Sequence, residues 1–204
     1  RFVMTFPNET LPKGRRQKTT SIYDRLLKKG AVMGDSFGLE NALWFAKNEK
    51  DAHEEPTFKR SRSHNYIAEE VKAVRTAVGA TEIANFAKHE FTGAGARKFL
   101  DYILAGKIPK PGRIILTPML TPKGKLYGDL TISCLNEEKF MLFGSGAAQE
   151  MHRRWFEKFL PKNGVIYKNR SDDFHGIAIS GPNSRKLLSK ICRDDVSNEA
   201  FKFR

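Results

Sequence analysis

Apolar and polar positions fall into two rhythms along the chain. From Leu126 to Cys134 they alternate: Leu126, Leu130, Ile132 and Cys134 share one face, and Tyr127, Asp129, Thr131 and Ser133 the other. That is the period of a half-buried strand. Thr121-Pro122-Lys123-Gly124 precedes the run as a turn, with Pro where its fixed φ fits and Gly closing it. Residues 117–146 therefore read as three consecutive strands. Elsewhere the rhythm is helical. Ser21 and Asp24 form a capping-box pattern ahead of Ile22, Leu26 and Leu27, and Gly30 ends that helix. Ile67, Val71, Val74 and Val78 recur at helical spacing until Gly79. A strand is expected near Glu90 to Thr92, then a helix from about Ala94 to Ala105 with Phe99, Leu100, Ile103 and Leu104 inward. Met151, Trp155, Phe156 and Phe159 give another amphipathic helix, halted at Pro161.

An internal repeat is visible in the same pattern. Residues 91–100, FTGAGARKFL, echo residues 179–188, ISGPNSRKLL. Each reads as a strand end, a hydroxyl residue as helix cap, Gly, then a helix running Arg-Lys-apolar-Leu. The spacing exceeds solenoid periods, so it predicts a duplicated half-domain of antiparallel strands and helices, an α+β fold. The first copy is followed by the three-strand meander. The second reaches Arg204 without one, so the second half is expected to be truncated, with an exposed apolar edge open to self-association. The polar stretch Lys47 to Ser63 reads as a linker. It predicts a boundary that separates residues 1–60 from a domain over 61–204.

Composition narrows the function classes. Hydrophobic content of 40% with 15 Phe supports a packed core. No apolar run approaches the roughly 18 residues of a membrane span, so no membrane partner is expected. Cys134 and Cys192 are far apart and read as buried thiols of a reducing compartment. The net charge of +13 raises the question of nucleic acid. Its Lys and Arg are nevertheless scattered, only Lys13–Lys18 and Lys59–Arg62 are dense, and neither cluster interleaves aromatics as a base-stacking surface would. A solvated basic surface, without a nucleic-acid partner, is the better reading.

Asp129 needs a reason to stand in a strand centre, where Asp is depleted. It is either a solvated residue near Lys123 and Lys125 or a carboxylate projecting into a ligand cavity. The other candidates resolve more simply. Gly144-Ser145-Gly146 after a strand reads as a tight strand-to-helix turn, because no βαβ unit with a strand-end acid follows. His53, His64, His89, His152 and His175 have no metal-ligand spacing, so no metal is expected. Ser180-Gly181-Pro182 lacks the G-x-S-x-G pattern of a nucleophile elbow.

The segments at 18–38, 44–46, 70–83, 91–101, 119–133 (MLTPKGKLYGDLTIS), 144–146, 177–188 and 197–201, in that order, resemble a known family. It is the folate-binding region shared by the glycine-cleavage T-protein, an aminomethyltransferase, and the C-terminal half of dimethylglycine and sarcosine dehydrogenases. The chain is more similar to the dehydrogenase branch. The T-protein carries two adjacent acids at the active strand, whereas Gly128-Asp129 stands here. The resemblance implies a T-protein-like fold, with residues 1–60 belonging to the tail of the flavoenzyme's central region.

For function it implies tetrahydrofolate as cofactor and folate, including polyglutamylated folate, as partner. Any FAD belongs to a domain absent from this chain. The activity implied is capture of an iminium-derived one-carbon unit on tetrahydrofolate, with Asp129 catalytic. Tyr127 and Thr131 would orient it, while Ser145 lies near the folate pocket. Met119 and Leu120 are candidates to pack against the pterin ring, or are core. The acid-bearing strand that grips the pterin in the family follows the point where this chain ends. A stand-alone aminomethyltransferase and a basic folate-domain relative that binds nucleic acid remain as alternatives. The implied location is the cytoplasm, or the mitochondrial matrix in a eukaryote.

Overall fold

The computed structural model describes residues 9–10 and 12–202 and divides into two units. One runs to Ala84 and resumes at His175–Lys202; the other is Asn85–Phe174.

In the first unit, helix α1 (Tyr23–Lys28) leads into the antiparallel pair β1 (Ala31–Ser36) and β2 (Leu39–Phe45). Helix α2 (Ser63–Thr76) covers that pair, with Tyr66 stacked on the buried Trp44 at 5.1 Å. Strand β3 (Gly79–Glu82) pairs antiparallel with β9 (Ile177–Ser180), and α5 (Ser184–Ile191) follows. Ser21 does not cap α1. Its Oγ lies 2.7 Å from His175 Nδ1, and His175 Nε2 lies 3.0 Å from Glu82 Oε1. A long-range polar partner has taken the hydroxyl that the sequence pattern assigns to a local cap.

The second unit is a five-stranded antiparallel sheet with helices α3 (Ala96–Ile103) and α4 (Gln149–Phe159). Its strands are β4 (Ala87–Thr92), β5 (Ile114–Leu120), β6 (Leu126–Asn136), β7 (Lys139–Gly144) and β8 (Ile166–Asn169). Their order is β5-β6-β7-β4-β8. The three-strand meander is β5, β6 and β7. Phe91 and Phe140 from strands, Phe99 and Leu100 from α3, and Phe156 from α4 interlock in one core. Phe91 meets Phe156 edge-on at 5.1 Å, the arrangement aromatic quadrupoles favour.

The repeat is realised as β4–α3 and β9–α5. Gly93 and Gly181 have φ of 113° and 120°, and a Cβ at either would come within 2.6 Å of a backbone carbonyl oxygen. The turn after each strand thus demands glycine. Thr92 and Ser180 are the last residues of their strands and not helix caps; the N-cap positions are Gly95 and Asn183. Cys134 is buried as expected, whereas Cys192 is exposed at the end of α5. Alternation along β6 also breaks at its start: Leu126 is 67% exposed, although Leu130 and Ile132 on the same parity are fully buried.

The stretch from Lys47 to Ser63 lies within the first unit, and several contacts tie it down. Arg62 bridges Asp51 and Glu55, and the Tyr66 hydroxyl donates to Asp51 Oδ2 at 2.6 Å. Among the described residues no helix is long and apolar enough to cross a membrane.

Candidate functional site

Register places Asp129. Pairing between β5 and β6 runs Pro118 to Asp129 and Met119 to Gly128, then jumps to Leu120 and Leu126. Tyr127 is the extra residue, a β-bulge, and a bulge re-aims the side chains around it. Tyr127 turns to the core side and lies against Trp155 of α4, ring centroids 4.3 Å apart. Leu126 is pushed outward. Past the bulge the strand keeps strict alternation, so Asp129 and Thr131 face away from α4.

There the sheet forms a hollow of about 280 Å³. Thr131 is flanked across the strands by Leu116 of β5 and Phe143 of β7. Phe86, Leu116 and Phe143 give apolar walls, Gly144-Ser145-Gly146 forms the rim, and Asp129 is exposed on the floor edge. Among the described residues that line it, Asp129 is the one charged side chain. One acid beside flat apolar surface suits a planar, weakly basic ring: the walls take its faces and the carboxylate meets an N–H at its edge.

The candidate residues divide between three places. Asp129, Thr131 and Ser145 converge on the hollow. Met119 is fully buried in the core. Leu120 borders a second hollow of about 290 Å³ with Tyr102, Pro122, Trp155 and Phe159, and Tyr127 packs on that same Trp155. The bulge therefore separates Tyr127 from the carboxylate it was expected to orient.

Sequence reasoning did not single out Phe86, Leu116 or Phe143, which are ordinary strand and loop residues by pattern. It weighed His152 only as a metal ligand, and the residue is buried at 2% exposure in the middle of α4. A Cβ at Gly128 would stand 2.5 Å from His152 Nε2. The signal available was Gly128 itself, because glycine inside a strand marks a bulge or a close approach. The same contact gives a physical reason for the departure from two adjacent acids: position 128 has no room for a side chain. Burial lowers the His152 pKa, while the nearby Asp129 charge acts in the opposite direction. His89, packed beside it at 6.2 Å between ring centroids, is pushed down to about 4, chiefly by burial. Both imidazoles are neutral at pH 7. Among the described residues no group of three or more His, Cys, Asp or Glu is placed to hold a metal ion.

A meandering antiparallel sheet backed by helices, with a strand–Gly–helix unit used twice, defines a T-protein-like α+β fold. Glycine cleavage system aminomethyltransferase T from Bartonella henselae has the same fold: the TM-score is 0.67 over 85% of this chain and 43% of that one, at 20% identity. The chain belongs to the GCVT N-terminal domain family, whose sequence pattern matches residues 22–204.

Two relatives bracket it. It is 34% identical to human mitochondrial dimethylglycine dehydrogenase over 205 residues, covering 98% of this chain and 23% of that protein. It is 30% identical to the aminomethyltransferase of Thermosipho melanesiensis over 186 residues, covering 90% of this chain and 46% of that protein. The chain thus spans less than half the length of either relative.

Proposed function

We propose that this chain is the folate-binding, one-carbon-transfer region of a dimethylglycine or sarcosine dehydrogenase-like enzyme. The observation that carries the reading is the hollow at Asp129: a single carboxylate among flat apolar walls, on a chain of this family. Its volume suits the ring end of a reduced folate and not the whole molecule. Tetrahydrofolate, when bound, supplies the amine nitrogen that accepts the one-carbon unit.

The chain's own residues do three things in this reading. Phe86, Leu116 and Phe143 exclude water and hold a ring by its faces. Thr131, next along β6, offers a hydroxyl to a ring edge. Asp129 takes the proton released as a folate nitrogen bonds to the electrophilic iminium carbon, whose C=N electron pair moves onto the substrate nitrogen. It returns that proton to the substrate amine as the C–N bond breaks, while a second folate nitrogen closes on the same carbon and releases its proton to water. The Asp129 charge stabilises the cationic character that develops at that carbon. Oxidation of the N-methyl amine belongs to a flavin domain outside this chain. The exposed basic side chains offer a surface for the glutamate tails of polyglutamylated folate.

The test is Asp129→Asn in the natural full-length polypeptide. It keeps the shape and one hydrogen bond but loses the proton acceptor and the charge. Tetrahydrofolate affinity should stay close to that of the parent. Methylenetetrahydrofolate formed per turnover should fall on the order of a hundredfold to ten-thousandfold, with free formaldehyde released in its place. Unchanged transfer would make Asp129 a solvated strand residue and overturn the reading.

A further inference from the structure

One imidazole touches the backbone immediately before two residues of the hollow. Gly128 precedes Asp129 and Gly144 precedes Ser145. A Cβ at Gly128 would lie 2.5 Å from His152 Nε2; at Gly144 the nearest obstacle is Leu130 Cδ2 at 2.6 Å, with His152 Nδ1 behind it at 3.2 Å. A contact of 2.5 Å does not survive in a packed interior, so the ring occupies the volume that a side chain at 128 would take. His152 reaches this spot from α4, and its own place is fixed. His89, Tyr127 and Phe156 hem it at centroid distances of 6.2, 6.4 and 6.4 Å. The ring thus sits behind β6 and β7 while the hollow opens on their other side.

We propose that His152 is a positioning residue for Asp129. Its buried ring is a spacer that sets how far β6 stands from α4, and hence where the Asp129 carboxyl faces the ligand. Glycine at 128 is the counterpart of that spacer. A polar ring serves here because it stays neutral. Burial disfavours its proton, the neighbouring His89 is likewise neutral, and the charge of Asp129 acts through the intervening strand. The Tyr127 side chain, its remaining titratable neighbour, belongs to the bulge and packs on Trp155. The role rests on the folate reading for its chemistry, but its geometry does not.

A mutant set in the natural full-length polypeptide separates positioning from simple packing. Gly128→Ala drives a methyl group into the ring and displaces β6. A misplacement of that kind should lower one-carbon-transfer kcat by up to about a hundredfold. The KM for tetrahydrofolate should move less than about twofold, since affinity rests on the apolar walls. Adding His152→Ala to Gly128→Ala opens the space again and should recover most of the lost kcat, although each single change is harmful. In an Asp129→Asn background, His152→Ala should lower kcat no further, because the ring acts through the carboxyl.

A second measurement does not depend on activity. The ¹³C chemical shift of the Asp129 carboxyl should change in Gly128→Ala and return toward the parent value in the double variant. Failure of the double variant to recover, or equal losses from His152→Ala with and without Asp129, would overturn the proposal. If Asp129→Asn transfers normally while the carboxyl shift still follows residues 128 and 152, the folate reading fails and the spacer stands.

Discussion

His89 Nδ1 and the Tyr167 hydroxyl share a hydrogen bond of 2.8 Å across the paired strands β4 and β8, and the imidazole is fully buried. Its Nε2 has no hydrogen-bond partner. A protonated ring at this place would carry a buried charge with one unmet donor, and for that reason its pKa drops to about 4.

The consequence is an acid limb in the stability curve. A histidine whose folded pKa lies below its unfolded value takes up its proton in the unfolded state first. Stability is therefore full above about pH 6.5 and declines as pH falls toward 4, by about 3 kcal/mol for His89 alone. The lowered pKa of His152 adds in the same direction. Urea midpoints measured at pH 7, 6 and 5 should fall in the parent and fall clearly less in His89→Phe, where His152 alone remains. Carboxylates titrate below most of that range, so an equal decline in the variant would assign the limb to another group.

A second prediction concerns Arg15 and Glu40. Glu40 is 1% exposed and accepts from Arg15 Nε at 2.8 Å, from Arg15 Nη2, and from the Arg16 amide at 3.2 Å. Arg15 is the largest cause holding the Glu40 carboxyl below the usual range. Arg15→Met strands a buried charge and should cost about 3–5 kcal/mol, whereas Arg15→Met with Glu40→Leu should cost far less. Denaturant unfolding of both variants checks the order. Equal losses would show that the charge of Glu40 is satisfied without Arg15.

Limited trypsin digestion probes the expected boundary between residues 47 and 63. Pro56–Arg60 is continuously exposed, with Phe58 at 92%, while Asp51, Arg62 and Tyr66 tie down its flanks. The first cuts should fall at Lys59 and Arg60. Early nicks in residues 125–145, with 56–60 intact, would overturn the boundary.

Much of the second unit was readable because its signals are local. The Thr121–Gly124 turn, the alternation from Leu130 to Cys134 and the Arg-Lys-apolar-Leu helices each depend on near neighbours, and each is present. The first unit was less readable. Strands β1 and β2 give no clean alternation, since Gly34 interrupts the pattern to make room for Leu43. Ser21 was legible as a cap and became a partner of His175, 154 positions away. The site shows the same limit. Thr131 and Ser145 join Asp129 in the hollow by simple parity and turn geometry. Tyr127 leaves it because one extra residue in β6 is unpaired; the alternation hides that bulge, and Gly128 beside it is its one local sign. His152 stands behind Gly128 only once α4 has packed.

That unpaired residue makes β6 a segment whose length matters more than its spelling. From the bulge as far as Cys134, where a second register shift intervenes, each side chain owes its direction to the number of residues counted from Tyr127. A substitution at 131 or 133 changes one group in place. A one-residue deletion that erases the bulge, or an insertion that doubles it, exchanges inside for outside and aims Asp129 at α4 instead of the hollow. Among related chains, residues 125–127, between the 121–124 turn and Gly128, should drift in identity while gaps are confined to the turn.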